Sequence, residues 1–201
     1  MQVLNLLNKN NYTLTYKLGK ELGIGIHGQI FNLVNYPNRV IKLSVCCDSC
    51  FQNFNLINDD GELNSIYTEI NKNLTYVETY NPHIYSRVYK HDFILSGSRE
   101  TINGNQDYII YYYIMEKLQE ISKDESKVFL EIFENSLEEN IENILQKMRG
   151  ALDFNKKNVM VFYTGVKNSK IKHLDLHVGN IMKDRKGNFK LIDLDLIEIG
   201  D

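Results

Sequence analysis

His173-Leu174-Asp175-Leu176-His177-Val178-Gly179-Asn180, followed after a short turn by Ile192-Asp193-Leu194-Asp195, sets polar groups in an order that suits metal-assisted phosphoryl transfer. That chemistry asks a protein for few parts. One residue orients the attacking hydroxyl, and two oxygen ligands hold the magnesium ions that neutralise charge on the β- and γ-phosphates. Asp175 is the candidate for the first role, and Asn180 and Asp193 are the candidates for the second.

The spacing around them predicts a hairpin. Ile181-Met182 is a short apolar run, Asp184-Arg185-Lys186-Gly187-Asn188 supplies turn residues, and Phe189 to Ile199 alternates like a strand. Such a hairpin brings Asn180, at the mouth of one strand, beside Asp193 on the other, so that two hard oxygen ligands converge on one ion. Taken alone, Asp193 and Asp195 also fit the solvent face of an amphipathic strand, because side chains alternate with period 2.

Far upstream, Gly23-Ile24-Gly25-Ile26-His27-Gly28-Gln29-Ile30 forms a G-x-G-x-x-G run, which lets backbone approach phosphate oxygens closely. In a dinucleotide-binding unit a helix opens at the last glycine. Here Gln29 to Val34 alternates polar and apolar instead, so the glycines belong to a hairpin. A turn at Asn35-Tyr36-Pro37-Asn38 then leads to a third strand, Arg39-Val40-Ile41-Lys42-Leu43. Lys42, isolated between apolar neighbours, also reads as an edge-strand gatekeeper.

A glycine-rich hairpin, a strand lysine, H-x-D-x-x-x-x-N and an aspartate on the next hairpin, in that order, resemble the protein-kinase-like superfamily across essentially the whole chain. The resemblance implies an α+β, bilobal protein-kinase-like fold with a five-stranded antiparallel N-lobe, about residues 1–116, and a truncated, mainly helical C-lobe, residues 117–201. It implies ATP and magnesium as cofactors. Gly23, Gly25 and Gly28 match the phosphate-covering loop, Lys42 the lysine of the α- and β-phosphates, and Asp175 the catalytic-loop base; Asn180 and Asp193 match the metal ligands. Tyr108 to Met115 looks like the strand that leads to the adenine hinge, with Met115 as gatekeeper and backbone groups of Glu116 to Leu118 facing the base. A plain buried strand fits that run as well.

The family also pairs its strand lysine with a helical glutamate. Asp59-Asp60-Gly61 suits a helix start, and Leu63, Ile66, Tyr67, Ile70 and Leu74 mark one apolar face. Glu62 is favoured for the pairing and Glu69 is the alternative, since both lie on nearly the same side of that helix. Before the helix, Cys46, Cys47 and Cys50 sit together; Cys47-x-x-Cys50 lacks a second ligand pair at zinc-finger spacing, and reduced, structurally incidental thiols fit it better. His83 to Gly97 reads as another strand, and Asn103-Gly104-Asn105 as a hairpin turn after it. Ser122-x-x-Glu125 and Ser136-x-x-Glu139 read as capping boxes, the second opening a helix through Leu137, Ile141, Ile144, Leu145 and Met148 to Gly150. Val159 to Tyr163 suits either a strand or a helix.

Departures from the family pattern narrow the expectation. Leu174 stands where H-R-D has arginine, so an activation-loop phosphate has no partner there. Asp175-Leu176-His177-Val178-Gly179-Asn180 looks more like atypical and small-molecule kinases. Asp193-Leu194-Asp195 keeps only the first residue of D-F-G, and eight residues follow Asp193. A natural minimal kinase is the favoured reading of that shortness, with a truncated piece or a partner chain that completes the C-lobe as alternatives.

Composition fits one soluble domain of 201 residues, 43% hydrophobic and 24% charged, large enough to bury a core. A formal charge of −3 gives no basic footprint for nucleic acid, and no run resembles a signal peptide or membrane span. A cytoplasmic setting is expected. With one alanine, two prolines and no tryptophan, the composition suggests an AT-rich genome; a viral source is one such reading and would place the protein in host cytoplasm. The expected activity is a serine/threonine-type protein kinase of minimal form; a small-molecule kinase with a small hydroxyl acceptor and a pseudokinase scaffold are the alternatives.

Overall fold

The structure, a computed structural model, describes residues 2–7, 13–25, 28–47, 63–101, 104–134 and 156–200. The chain divides into two compact units, residues 1–81 with 87–117, and residues 82–86 with 118–201.

Among the described residues, the first unit is a six-stranded antiparallel sheet with one helix against it. Its strands are β1 (Gln2–Leu7), β2 (Thr13–Gly25), β3 (Gly28–Leu33), β4 (Tyr36–Cys47), β5 (Val88–Thr101) and β6 (Gly104–Glu116), in the order β1-β2-β3-β4-β6-β5. Strands β2 to β6 are the five expected, and β1 adds a sixth by pairing Gln2 with Leu18 through to Leu7 with Thr13. The turn between β3 and β4 is tighter than the sequence suggests, because Leu33 pairs with Tyr36 across Val34-Asn35. Pro37 therefore lies inside β4, near its first residue, where a missing N–H is tolerated.

Alternation along these strands builds the core. Leu18, Phe31, Leu33, Ile41, Tyr112 and Ile114 are buried together, with Leu4, Tyr16, Leu43, Tyr89 and Ile94 packed against them. On β4 and β6 the intervening residues face the other side, where Lys42 lies opposite Tyr113. Helix α1 (Leu63–Tyr80) packs on β5 and β6 and buries Ile70, Leu74 and Val77 completely, the i, i+4, i+7 stripe of an amphipathic helix. Its last turns are tied to β5 by His91, whose ring nitrogens lie 2.6 Å from Glu78 Oε2 and 3.3 Å from Thr75 Oγ1. The β5–β6 ladder ends at Thr101 paired with Gly104, which takes φ 106° as glycine alone does readily. Asn103 and the expected helix start at Asp59-Gly61 lie outside the described residues. So do Cys50 and the helix expected from Ser136 to Gly150. Cys46 is buried on β4.

The second unit holds helices α2 (Lys123–Glu134) and α3 (Lys156–Lys167) and the short strands β7 (Gln119–Glu120), β8 (Ile171–His173), β9 (Ile181–Lys183), β10 (Phe189–Leu191) and β11 (Ile197–Ile199). The first capping box holds: Ser122 Oγ accepts from Glu125 N at 3.2 Å, and Glu125 Oε2 accepts from Ser122 N at 2.7 Å. Residues Val159 to Tyr163 are helical, within α3. Phe129 of α2, Phe162 of α3 and Phe189 of β10 form an edge-to-face triad with centroids 4.9 to 6.0 Å apart, which locks both helices to the hairpin. Pro82–Ser86 joins this unit rather than starting a strand. Leu191 N donates to Ile84 O and Ser86 N to Leu191 O, each at 2.8 Å. Tyr85 then donates its hydroxyl to Ile171 O at 3.1 Å, and burial pushes that phenol up to about 12, so it stays a donor.

Candidate functional site

The hairpin predicted after Asn180 forms, with Leu191 paired to Ile181 and Phe189 to Lys183. Its turn is built on Asp184. Oδ1 accepts from Lys186 N at 2.8 Å and Asn188 N at 2.9 Å, and Oδ2 accepts from Asn188 Nδ2 at 2.8 Å. Gly187, at φ 81°, closes the turn, and Asn158 of α3 donates to its carbonyl at 2.7 Å. Burial pushes the Asp184 pKa up, but the hydrogen bonds from Asn188 and Lys186 and the charge of Lys190 outweigh it, so the group lies below the usual carboxylate range.

Past Leu191 the chain departs from expectation. Phe189 to Ile199 is not one strand: β10 ends at Leu191, Asp193 turns the backbone at φ 59°, and β11 leaves to pair with β8. A left-handed aspartate is sterically costly, and the surrounding bonds over-determine it. Ile192 N donates to Asn180 O at 3.0 Å, Leu196 N donates to Asp193 O at 3.2 Å, and Leu194 and Asp195, just after the bend, are buried.

His173 supplies a further brace. Its Nε2 lies 2.6 Å from Ile192 O, so this nitrogen carries the proton and donates. Burial pushes the imidazole pKa down, against the carbonyl bond and the nearby Asp193, Asp175 and Asp195 charges, which keeps the ring neutral near neutral pH. Leu174 N donates to Leu196 O at 2.9 Å, which leaves Asp175 at the end of this short ladder. From there a 3₁₀ turn over Val178–Asn180 brings Asn180 back. Asn180 Nδ2 donates to Asp175 O at 2.9 Å and reaches Asp175 Oδ2 at 3.3 Å. Asp175 and Asn180 are thus in contact, and the Asn180–Ile192 bond sets Asp193 one residue from that contact. Both Asn180 contacts use Nδ2, so its amide oxygen remains for a cation. That oxygen and the Asp193 carboxylate are hard donors of the kind magnesium takes.

The remaining candidates belong mainly to the first unit. Gly25 and Gly28 face each other across the last pair of the β2–β3 ladder. A Cβ on Gly28 would lie 2.2 Å from Leu43 O, so that glycine is required by packing against β4, whereas a Cβ on Gly23 meets nothing within 4 Å. Lys42 is only 6% exposed, and its Nζ sits 5.5 Å from the centre of the Tyr113 ring. Tyr113 emerges as a partner that its place in a tyrosine run concealed. Met115 is buried, with Val40 and Val88 opposite it on the two neighbouring strands. Glu116 N donates to Arg87 O at 2.9 Å and its Oε1 accepts from Arg87 N at 2.9 Å, which fixes the end of β6. Leu118, in the second unit, is half-buried. Glu69 is half-buried beside the apolar stripe of α1 and pairs with Lys72 on its own helix at 3.6 Å; Glu62 lies outside the described residues. Sequence reading missed the Lys183–Glu125 ion pair, with Nζ 2.8 Å from Oε2, which spans 58 positions and leaves no local signal.

No family model and no curated protein matches this sequence. Among solved structures, the chain is similar to the ROP18 kinase domain in complex with AMP-PNP and sucrose, at 14% identity and a TM-score of 0.53, over 98% of this chain and 56% of that one. It also matches WbdD, in a co-crystal structure with the kinase inhibitor LY294002, at 14% identity and a TM-score of 0.41, over 98% of this chain and 35% of that one. The first likeness shows the fold, which is kinase-like. The chain spans about half the length of that kinase-domain chain, 56%. No helix among the described residues is long and apolar enough to cross a membrane.

Proposed function

We propose that the chain is an ATP- and magnesium-dependent phosphotransferase, with a serine or threonine hydroxyl of a protein as acceptor. The observation that supports this reading is the Asp175–Asn180 contact together with the Asn180–Ile192 bond, which keeps Asp175, Asn180 and Asp193, the residue after Ile192, within one braced loop. The acceptor hydroxyl attacks the γ-phosphorus and its proton passes to Asp175. The bond from the γ-phosphorus to the β–γ bridging oxygen breaks, and ADP leaves with the bonding electrons. Asn180 and Asp193 would hold magnesium, which when bound neutralises charge on the β- and γ-phosphates. Gly23 and Gly25 give backbone access to phosphate oxygens. Lys42 aims a cation at the α- and β-phosphates, and Met115, Glu116 and Leu118 meet adenine. A cytoplasmic location, where ATP is supplied, belongs to the same proposal.

The run Asp175-Leu176-His177-Val178-Gly179-Asn180 favours a second reading, a small hydroxyl compound as acceptor. Incubation with γ-labelled ATP and magnesium, against a panel of proteins and small alcohols, separates the two. In that assay Asp175→Asn should lower turnover by roughly 10²- to 10⁴-fold while ATP still binds. ATP at a hundredfold excess over Kd should stabilise the fold by about 2.7 kcal/mol, and Asp193→Asn should remove the magnesium-dependent part of that. Turnover of the unaltered chain equal to that of Asp175→Asn would instead mark a binding scaffold.

A further inference from the structure

The geometry points to His177 as a positioning residue that, with Asn180, pins one carboxylate oxygen of Asp175 and leaves the other as the proton acceptor. This rests on the phosphotransfer reading and adds to it the atom that acts and the residue that aims it. His177 caps the 3₁₀ turn: its Nδ1 accepts from Gly179 N at 3.0 Å. A nitrogen that accepts carries no proton, so in the neutral ring the N–H is on Nε2. That atom lies 3.4 Å from Asp175 Oδ2. Oδ2 is also the oxygen that Asn180 Nδ2 approaches, at 3.3 Å. Both side-chain nitrogens therefore approach Oδ2. Among the described residues none is directed at Oδ1, which is the oxygen left for the proton of an acceptor hydroxyl.

Gly179 belongs to the same device for a steric reason. A Cβ there would lie 2.7 Å from His177 Cε1 and 2.9 Å from Nδ1, so the ring can seat over residue 179 only if it is glycine. The spacing of Asp175, His177, Gly179 and Asn180 then has one explanation: the glycine makes room for the ring, the ring and the amide meet the carboxylate. The side chains of His177 and Asp175 are 53% and 41% exposed, and at that exposure a contact between them adds little to stability. Its effect is on direction, and contacts of this length in an unliganded site tighten when substrate is bound.

His177→Asn separates aiming from capping, since asparagine is a strong N-cap through its side-chain oxygen but is too short to reach Asp175. With a protein or small alcohol that the unaltered chain phosphorylates, kcat should fall on the order of 10- to 100-fold. The KM for ATP should stay within about twofold and the melting temperature should be unchanged, as befits an exposed contact. Equal kcat for His177→Asn and the unaltered chain overturns the role, as does a loss of kcat that merely follows a loss of folded protein. Long-range ¹H–¹⁵N spectra of the imidazole give a readout independent of activity. The expected result is the Nε2–H tautomer, with an Nε2 signal that moves in Asp175→Asn; an Nδ1–H tautomer overturns the proposal. Absence of any transfer by the unaltered chain overturns the phosphotransfer reading and this role together, whereas the kinetic result for His177→Asn overturns the role alone.

Discussion

The β2–β3 hairpin and the β9–β10 hairpin both turn on glycine, and they are held in opposite ways. The first is long, carries two shifts of register between Leu18 and Gly23, and exposes Leu22 and Ile24 near its end, at 47% and 68%. The second has three paired positions, yet Asp184, Asn158 and the Phe129–Phe162–Phe189 triad hold its turn and its base. On the proposed function the difference has a cause. A hairpin that covers phosphates must leave room for them, and a Cβ on Gly23 would meet nothing within 4 Å. One that carries metal ligands must hold them still before substrate arrives.

Gly28 is where the open hairpin becomes rigid, and the largest effect is expected there. A Cβ at this position meets the Leu43 carbonyl at 2.2 Å, and backbone on a neighbouring strand cannot swing aside as a side-chain end would. Gly28→Val should therefore destabilise the first unit by about 3 kcal/mol, the upper range for overpacking, seen as a lower denaturant midpoint. A variant as stable as the unaltered chain would mean that β3 and β4 are not in this register.

What was legible in the sequence was local. Asp175, Asn180 and the turn at 184–188 lie close enough along the chain for spacing to place them, and Ser122 with Glu125 forms a box four residues long. The split of residues 189–199 was not legible, because Ile192, Leu194 and Leu196 alternate with Asp193 and Asp195 straight through the left-handed bend at Asp193. Only the pairing of β11 with β8, set by tertiary contact, reveals it. Tyr113 and Lys42, and Glu125 and Lys183, meet from distant positions, and no local pattern announces either pair. Val159 to Tyr163 reads ambiguously because the run is apolar at both periods; burial of Phe162 against Phe129 and Phe189 resolves it as helix.

At the second hairpin, Asp184→Ala should cost about 1 to 2 kcal/mol, since three hydrogen bonds to a charged acceptor are lost but the group is partly solvated. The loss should depend on pH. Because the folded-state pKa of Asp184 lies below its ordinary value, its contribution is fully present above the unfolded pKa and disappears as pH falls through the folded one. Melting curves of the two proteins should therefore differ at neutral pH and converge as the solution is made more acidic than the usual aspartate range. A gap that stays constant on acidification would mean that shape rather than charge holds this turn.

Gly23→Ala should give the smallest change in stability and test the open hairpin most directly. A Cβ there meets no atom within 4 Å, and the backbone is not in the left-handed region, so alanine is tolerated sterically. Alanine also has less conformational freedom to lose on folding, so the denaturant midpoint should stay within about 0.5 kcal/mol of the original or rise slightly. If the space over Gly23 is kept for phosphate oxygens, the methyl group occupies part of it, and the magnesium–ATP thermal shift should shrink while the midpoint holds. Gly28→Val would lose stability and Gly23→Ala would lose ligand, which divides the glycines of one motif between packing and binding. An unchanged ATP shift in Gly23→Ala would show that the open tip is not the phosphate cover.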